Sequence, residues 1–175
     1  MALKSVLTLC LAAFSPCLLA AEKPTGATIF ALSAQGVGDV IGSITFKDSK
    51  SGLVLSTDLK GLTPGEHGIH IHQNPDCSTV VKDGTSMPGF GAGGHLDPEK
   101  TGKHLGPMGQ GHKGDLPVLK VQKTGAAREK LVAPHLTLAD VKGHAVVIHA
   151  GGDNYSDEPN PLGGGGARIA CGVIE

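Results

Sequence analysis

The chain has 175 residues, enough for one domain and too few for two comfortable ones. With no Trp, one Tyr and four Phe, the core must be filled by Val, Ile, Leu and Ala, while 27 Gly and 11 Pro suit turns and long ordered loops better than helices. A formal charge of −1 without basic blocks gives nucleic acid no electrostatic footprint.

At the N-terminus, "MALK" carries one positive charge and "SVLTLCLAAFSPCLLAA" is apolar and broken by Pro16. This pattern predicts a secretory signal over residues 1–21, cut after Ala20 or Ala21, and a mature domain over 22–175. A membrane anchor needs roughly 20 apolar residues, more than this interrupted run supplies. Cleavage removes Cys10 and Cys17 and leaves Cys77 and Cys171 in a chain bound for an oxidising compartment. A disulfide is their natural pairing. Thiolate metal ligation would need Cys or His at two- to four-residue spacing, which Cys171 lacks. Closing so long a loop stabilises a fold by roughly 4–5 kcal/mol in the chain-entropy model.

Short β-type segments follow at 27–32, 40–46, 52–59, 67–72, 116–122, 144–150 and 168–174, separated by turn signals such as "TPGE" and "KTG". No long helical period appears, so the segments predict an all-β sandwich or barrel. "LTLADVK" suits a single helical turn. Residues 73–115 and 151–167 are too long and too glycine-rich for simple hairpins, and loops of that length in a compact domain are usually functional or disordered.

The histidines say what could order them. In "EHGIHIHQNPDC", His70 and His72 are two apart on a strand and therefore share one face, with Ile69 and Ile71 on the other. The first long loop holds His95, His104, His112 and Asp115, three imidazoles and a carboxylate that suit tetrahedral zinc. Metal binding would supply the ordering free energy such a loop cannot draw from apolar burial. His149 ends the apolar strand "AVVIHA" and, with His70 and His72, makes a candidate all-imidazole site for copper or zinc. Six histidines and one aspartate are one ligand short of two four-coordinate metals, unless one imidazole binds both through its two nitrogens.

"GEHGIHIH", "GGHLDP", "GKHLGPMGQGHKGDLP", "VIHAGGDN" and "PLGGGGARIACGVIE" resemble the copper–zinc superoxide dismutases, particularly the exported bacterial branch, over about residues 27 to 175. The resemblance implies a Greek-key β-sandwich or flattened barrel of about eight antiparallel strands, immunoglobulin-like, with two long metal-site loops. It implies copper held by His70, His72, His95 and His149, and zinc by His95, His104, His112 and Asp115, with His95 bridging. Cys77 and Cys171 match the family's disulfide. Asp153 matches the carboxylate that hydrogen-bonds a ligand histidine at each metal, and Arg168 the arginine beside the copper. His67, His135 and His144 are left as structural or surface residues.

The implied activity is dismutation of superoxide to O₂ and hydrogen peroxide by alternating Cu(II) and Cu(I), with Arg168 orienting the anion and His95 carrying a proton. Lys82, Lys103 and Lys113 are the loop lysines available to steer it. The expected setting is the periplasm, with superoxide as substrate, no nucleic-acid partner, no membrane contact after signal removal, and a monomer or homodimer. The rival reading is a copper and zinc binding or delivery module without turnover. A zinc hydrolase finds no support, because there is no H-E-x-x-H.

Overall fold

The computed structural model describes residues 24–175. The expected signal, with Cys10 and Cys17, lies outside the described residues. Eleven strands run in chain order: β1 (Gly26–Ser33), β2 (Gly36–Ser49), β3 (Gly52–Leu59), β4 (Gly65–His67), β5 (Ile69–His72), β6 (Val80–Lys82), β7 (Thr85–Met87), β8 (Leu119–Val121), β9 (Lys130–Ala133), β10 (Ala145–His149) and β11 (Arg168–Val173). One helical turn, α1 (Leu138–Val141), falls in the segment expected to make it. Thr137 and Asp140 close it as a reciprocal capping box.

Side-chain alternation builds the wall. In β3, Leu53, Leu55, Thr57 and Leu59 are buried, and in β2 so are Ile44 and Phe46, the period of two that a half-buried strand requires. The main sheet has the order β5-β10-β11-β1-β2-β3-β9, antiparallel throughout. β4 continues β5 beyond Gly68 and pairs with β8. A tight turn, Gln122 N to Ala126 O at 2.8 Å, then leads from β8 toward β9 on the far edge. Counting β4 and β5 as one broken strand, β8 is the eighth, and the sheet curls into a flattened Greek-key barrel. Its interior is aliphatic, as a Trp-free composition requires.

Three differences from the expected segments have simple causes. β9, "KLVA", is a four-residue strand too short to show its alternation of buried Leu131 and Ala133 in sequence. Only Leu119–Val121 of the 116–122 segment is strand. Inside the first long loop, β6 and β7 form a small hairpin around Asp83 and Gly84, whose φ values of 51° and 75° are left-handed. Asp-Gly is the usual signal for such a turn.

The disulfide forms between Cys77 and Cys171, with Cα atoms 5.7 Å apart across 94 residues. It fastens the start of the long loop to β11. Cys171 packs there in a small cluster with Leu32, Ala92, Ala145 and Val147.

Candidate metal centre

β5 and β10 lie side by side, with Val147 opposite His70 and Ala145 opposite His72. Ile69, Ile71, Val146 and Ile148 face the main core. By strand alternation His70, His72 and His149 therefore project from the opposite, outer face of the wall. That face is roofed by the long loop, which pairs with the free edge of β5. Ile71 N bonds Gly114 O at 2.9 Å, Leu96 N bonds Ile71 O at 2.8 Å, and Gln73 N bonds Gly94 O at 3.0 Å. These bonds bring His95 opposite His72 and Asp115 opposite His70. Residues far apart in sequence are thus set against one strand by backbone pairing.

The cluster is dry. His70, His72, His95, His104, Asp115 and His149 are all buried, at 6 % exposure or less. Two sets of side-chain atoms lie within 4.8 Å of one another: His70, His72, His95 and His149, and His70, His95, His104 and Asp115. His112 stands at the border of the second, its Nδ1 3.5 Å from Asp115 Oδ1. The rings of His70 and His95 stack at 3.9 Å between centroids.

Hydrogen bonds on the outer nitrogens decide which nitrogen each ring leaves free. His70 Nε2 donates to Asp153 Oδ2 at 2.8 Å, leaving Nδ1 with its lone pair. His104 Nε2 donates to Asp153 Oδ1 at 2.7 Å, likewise freeing Nδ1. His72 Nδ1 donates to Gly93 O at 3.0 Å, and His149 Nδ1 to Gly166 O at 3.2 Å, so each frees Nε2. His95 Nδ1 meets Asp115 Oδ1 at 3.0 Å. The six remaining nitrogens, Nδ1 of His70, His104 and His112 and Nε2 of His72, His95 and His149, are buried without a hydrogen bond. His104 Nδ1 lies 3.0 Å from Asp115 Oδ2 but is not aligned to bond it. A buried polar atom left unpaired costs about 1–3 kcal/mol. Six such ring nitrogens converging beside a carboxylate are explained by cations, and the donor set of imidazoles with one carboxylate fits copper and zinc.

Charge is placed to match. Burial and the adjacent imidazoles of His104, His112 and His95 act in opposite directions on Asp115, and the imidazoles win, holding its carboxyl far below the ordinary range. Asp153 is likewise held low, its burial outweighed by the bonds from His104 and His70. Burial lowers His95 to about 4 and His149 to about 3, which keeps these rings neutral and able to bind metal. For His104 the two aspartates outweigh burial and raise it to about 9, so a metal ion at that ring would have to displace a proton. Gly163 is what lets Asp153 reach His104. Its φ is +70°, and a Cβ there would strike Asp153 Oδ1 and His104 Nε2.

Arg168 lies across the sheet from His149. Its Nη1 donates to Gly89 O at 2.7 Å and its Nη2 to Gly93 O at 2.6 Å. The guanidinium carbon sits 4.1 Å from the centroid of the half-exposed Phe90 ring. Desolvation lowers it to about 10, still a cation at neutral pH. None of these three anchors is visible in the sequence, since two are backbone carbonyls and the third is a lone loop aromatic. His67, expected to be structural or surface, is a buried strut, its ring nitrogens 2.7 Å from the carbonyls of His149 and Thr63. His144 bonds Gln73 O at 2.8 Å, and His135 is exposed. Of the loop lysines, Lys82 and Lys103 are exposed, while Lys113 pairs with Asp140 at 2.7 Å.

An antiparallel β-barrel carrying a buried two-metal imidazole cluster on its outer wall, with an arginine at the margin, defines the class. The chain belongs to the copper/zinc superoxide dismutase family, whose model matches residues 40–174. Cu-Zn superoxide dismutase 2 of Salmonella typhimurium is 55 % identical over 145 residues, covering 82 % of this chain and 84 % of that protein. The Escherichia coli K12 enzyme is 53 % identical over the same shares. The solved Cu/Zn superoxide dismutase from Brucella abortus superposes with a TM-score of 0.85 at 47 % identity, covering 87 % of this chain and all of that one. The monomeric enzyme from Salmonella enterica gives 0.78 at 53 %, covering 86 % and 98 %.

Proposed function

We infer that this chain dismutes superoxide, converting two superoxide anions and two protons into O₂ and hydrogen peroxide. The observation that carries the reading is the convergence of six unpaired imidazole nitrogens, divided by their outer hydrogen bonds and placed beside a cation. His70 Nδ1, His72 Nε2, His149 Nε2 and His95 Nε2 would hold copper. His95 Nδ1, His104 Nδ1, His112 Nδ1 and Asp115 would hold zinc. Copper supplies the one-electron couple and zinc a redox-inert positive charge.

The protein's own groups do the rest. Arg168 offers a permanent charge and donors that orient a small anion. His95 Nε2 is the atom at which a proton would be held between the half-reactions, while zinc shared with Asp115 would hold the ring through Nδ1. Asp153 fixes the tautomer of one ring in each set, and such outer bonds tune ligand basicity. Signal-like residues 1–21 and the bacterial relatives support a periplasmic mature domain over 22–175. All the ligands come from one chain, so a monomer or a homodimer would each carry complete sites. Purified protein should contain about one copper and one zinc and should remove superoxide rapidly. Activity without bound copper would defeat the mechanism, and bound copper without activity would favour metal storage.

A further inference from the structure

The candidate ligands are not equally enclosed. The side chains of His70, His95 and His104 are at most 1 % exposed, whereas that of His112 is 9 % exposed. A cavity of about 380 Å³ lies against His112 and reaches Asp115, with Glu99, Gln110, Lys113 and His135 also in its lining. A second cavity, of about 460 Å³, lies between β1, β2 and the chain's C-terminal end and touches none of these ligands.

We propose that zinc enters and leaves through the cavity at His112, with Glu99 and His135 forming an outer station for the hydrated cation. The proposal rests on the zinc set named above. A buried metal site needs a path to solvent, and this cavity joins an exposed carboxylate and an exposed imidazole to the slightly exposed ligand His112 and then to Asp115. Oxygen and nitrogen donors in sequence let a divalent ion exchange its waters one at a time, with zinc-compatible chemistry at each stage. The one cation in the lining does not bar the way, because Lys113 Nζ is paired with Asp140 Oδ1 at 2.7 Å. On the other side of the cluster His70 and His72 are wholly buried, and the cation nearest them is Arg168, opposite His149 in the sheet.

The test follows Co²⁺, whose visible spectrum reports tetrahedral binding, into metal-stripped protein by stopped flow. A passage and a ligand leave different signatures. Gln110→Trp, which crowds the cavity, should slow uptake and release by the same several-fold factor and leave the dissociation constant within about twofold. Glu99→Gln with His135→Ala should slow uptake roughly 10- to 30-fold, the pull of one solvated carboxylate on a divalent ion near contact, with final stoichiometry unchanged. Both residues are exposed, so this variant keeps its fold. Parental uptake rates in both variants would overturn the route. So would a change in affinity with no change in rate for Gln110→Trp. Failure of the parent to give a tetrahedral Co²⁺ spectrum would instead overturn the zinc assignment itself.

Discussion

Replacing Asp153 with Asn tests how one carboxylate governs two metals. Asp153 Oδ2 accepts from His70 Nε2 at 2.8 Å, and Oδ1 accepts from both His104 Nε2 at 2.7 Å and the Tyr155 amide at 2.8 Å. An asparagine has one acceptor oxygen and one NH₂ group. Two N–H donors meet at the Oδ1 position, so the amide oxygen should settle there and the NH₂ should face His70. His70 Nε2 must then accept a hydrogen bond, which moves the ring proton to Nδ1, the atom assigned to copper. His104 keeps its tautomer and loses only the charge of its acceptor, a change from roughly 1.5–3 to 0.5–1.5 kcal/mol. Disturbing an outer partner of a metal ligand typically costs 10- to 100-fold in affinity, or about 1.4–2.8 kcal/mol. Copper affinity should fall across that range and zinc affinity by less, measured by chelator competition for each metal. Equal loss of both metals, or greater loss of zinc, would refute the tautomer argument.

Three further outcomes follow from the same geometry. His149→Ala should abolish copper binding and activity while zinc stays bound, as metal analysis would show; equal loss of both metals would mean the sets are not divided as assigned. Arg168→Ala should lower kcat/KM roughly 10- to 100-fold at unchanged metal content, the worth of a charge-assisted bond, and Phe90→Ala roughly two- to fivefold, the worth of a part-exposed cation–π contact. With both metals removed, thermal stability should peak near neutral pH. His95 and His149 titrate at about 4 and 3 when folded but near 6.5 when unfolded. The unfolded chain therefore binds more protons below 6.5, and stability falls as the pH drops through that window. His104 acts oppositely: its contribution is complete below 6.5 and is lost as pH rises through about 9. Melting temperatures that climb steadily to pH 9 would contradict the assignment.

What was legible in the sequence is what side-chain identity encodes. The H-x-H spacing of His70 and His72 announces a shared strand face, and the imidazoles of the glycine-rich loop announce a cation. Cys77 and Cys171 find each other by elimination. What stayed hidden depends on backbone placed by the fold. No residue type marks the carbonyls of Gly89, Gly93 and Gly166 as acceptors for Arg168, His72 and His149. His67 looked idle because one of its partners, the His149 carbonyl, lies 82 residues away. β9 escaped because four residues hold only two alternations. The β6–β7 hairpin was readable in principle, since Asp83-Gly84 is a turn signal, but its three-residue strands are too polar to stand out from a loop.

The Gly93 carbonyl serves two masters, taking the His72 proton at 3.0 Å and the Arg168 proton at 2.6 Å. A single oxygen is therefore the common pivot for the ring proposed to hold copper and for the guanidinium proposed to receive the anion. Its peptide has φ 75° and ψ −154°, and a Cβ at Gly93 would press on Gln73 and Asn74 at about 3 Å. A side chain there would disturb both bonds at once, so the placement of His72 and of Arg168 depends on one peptide.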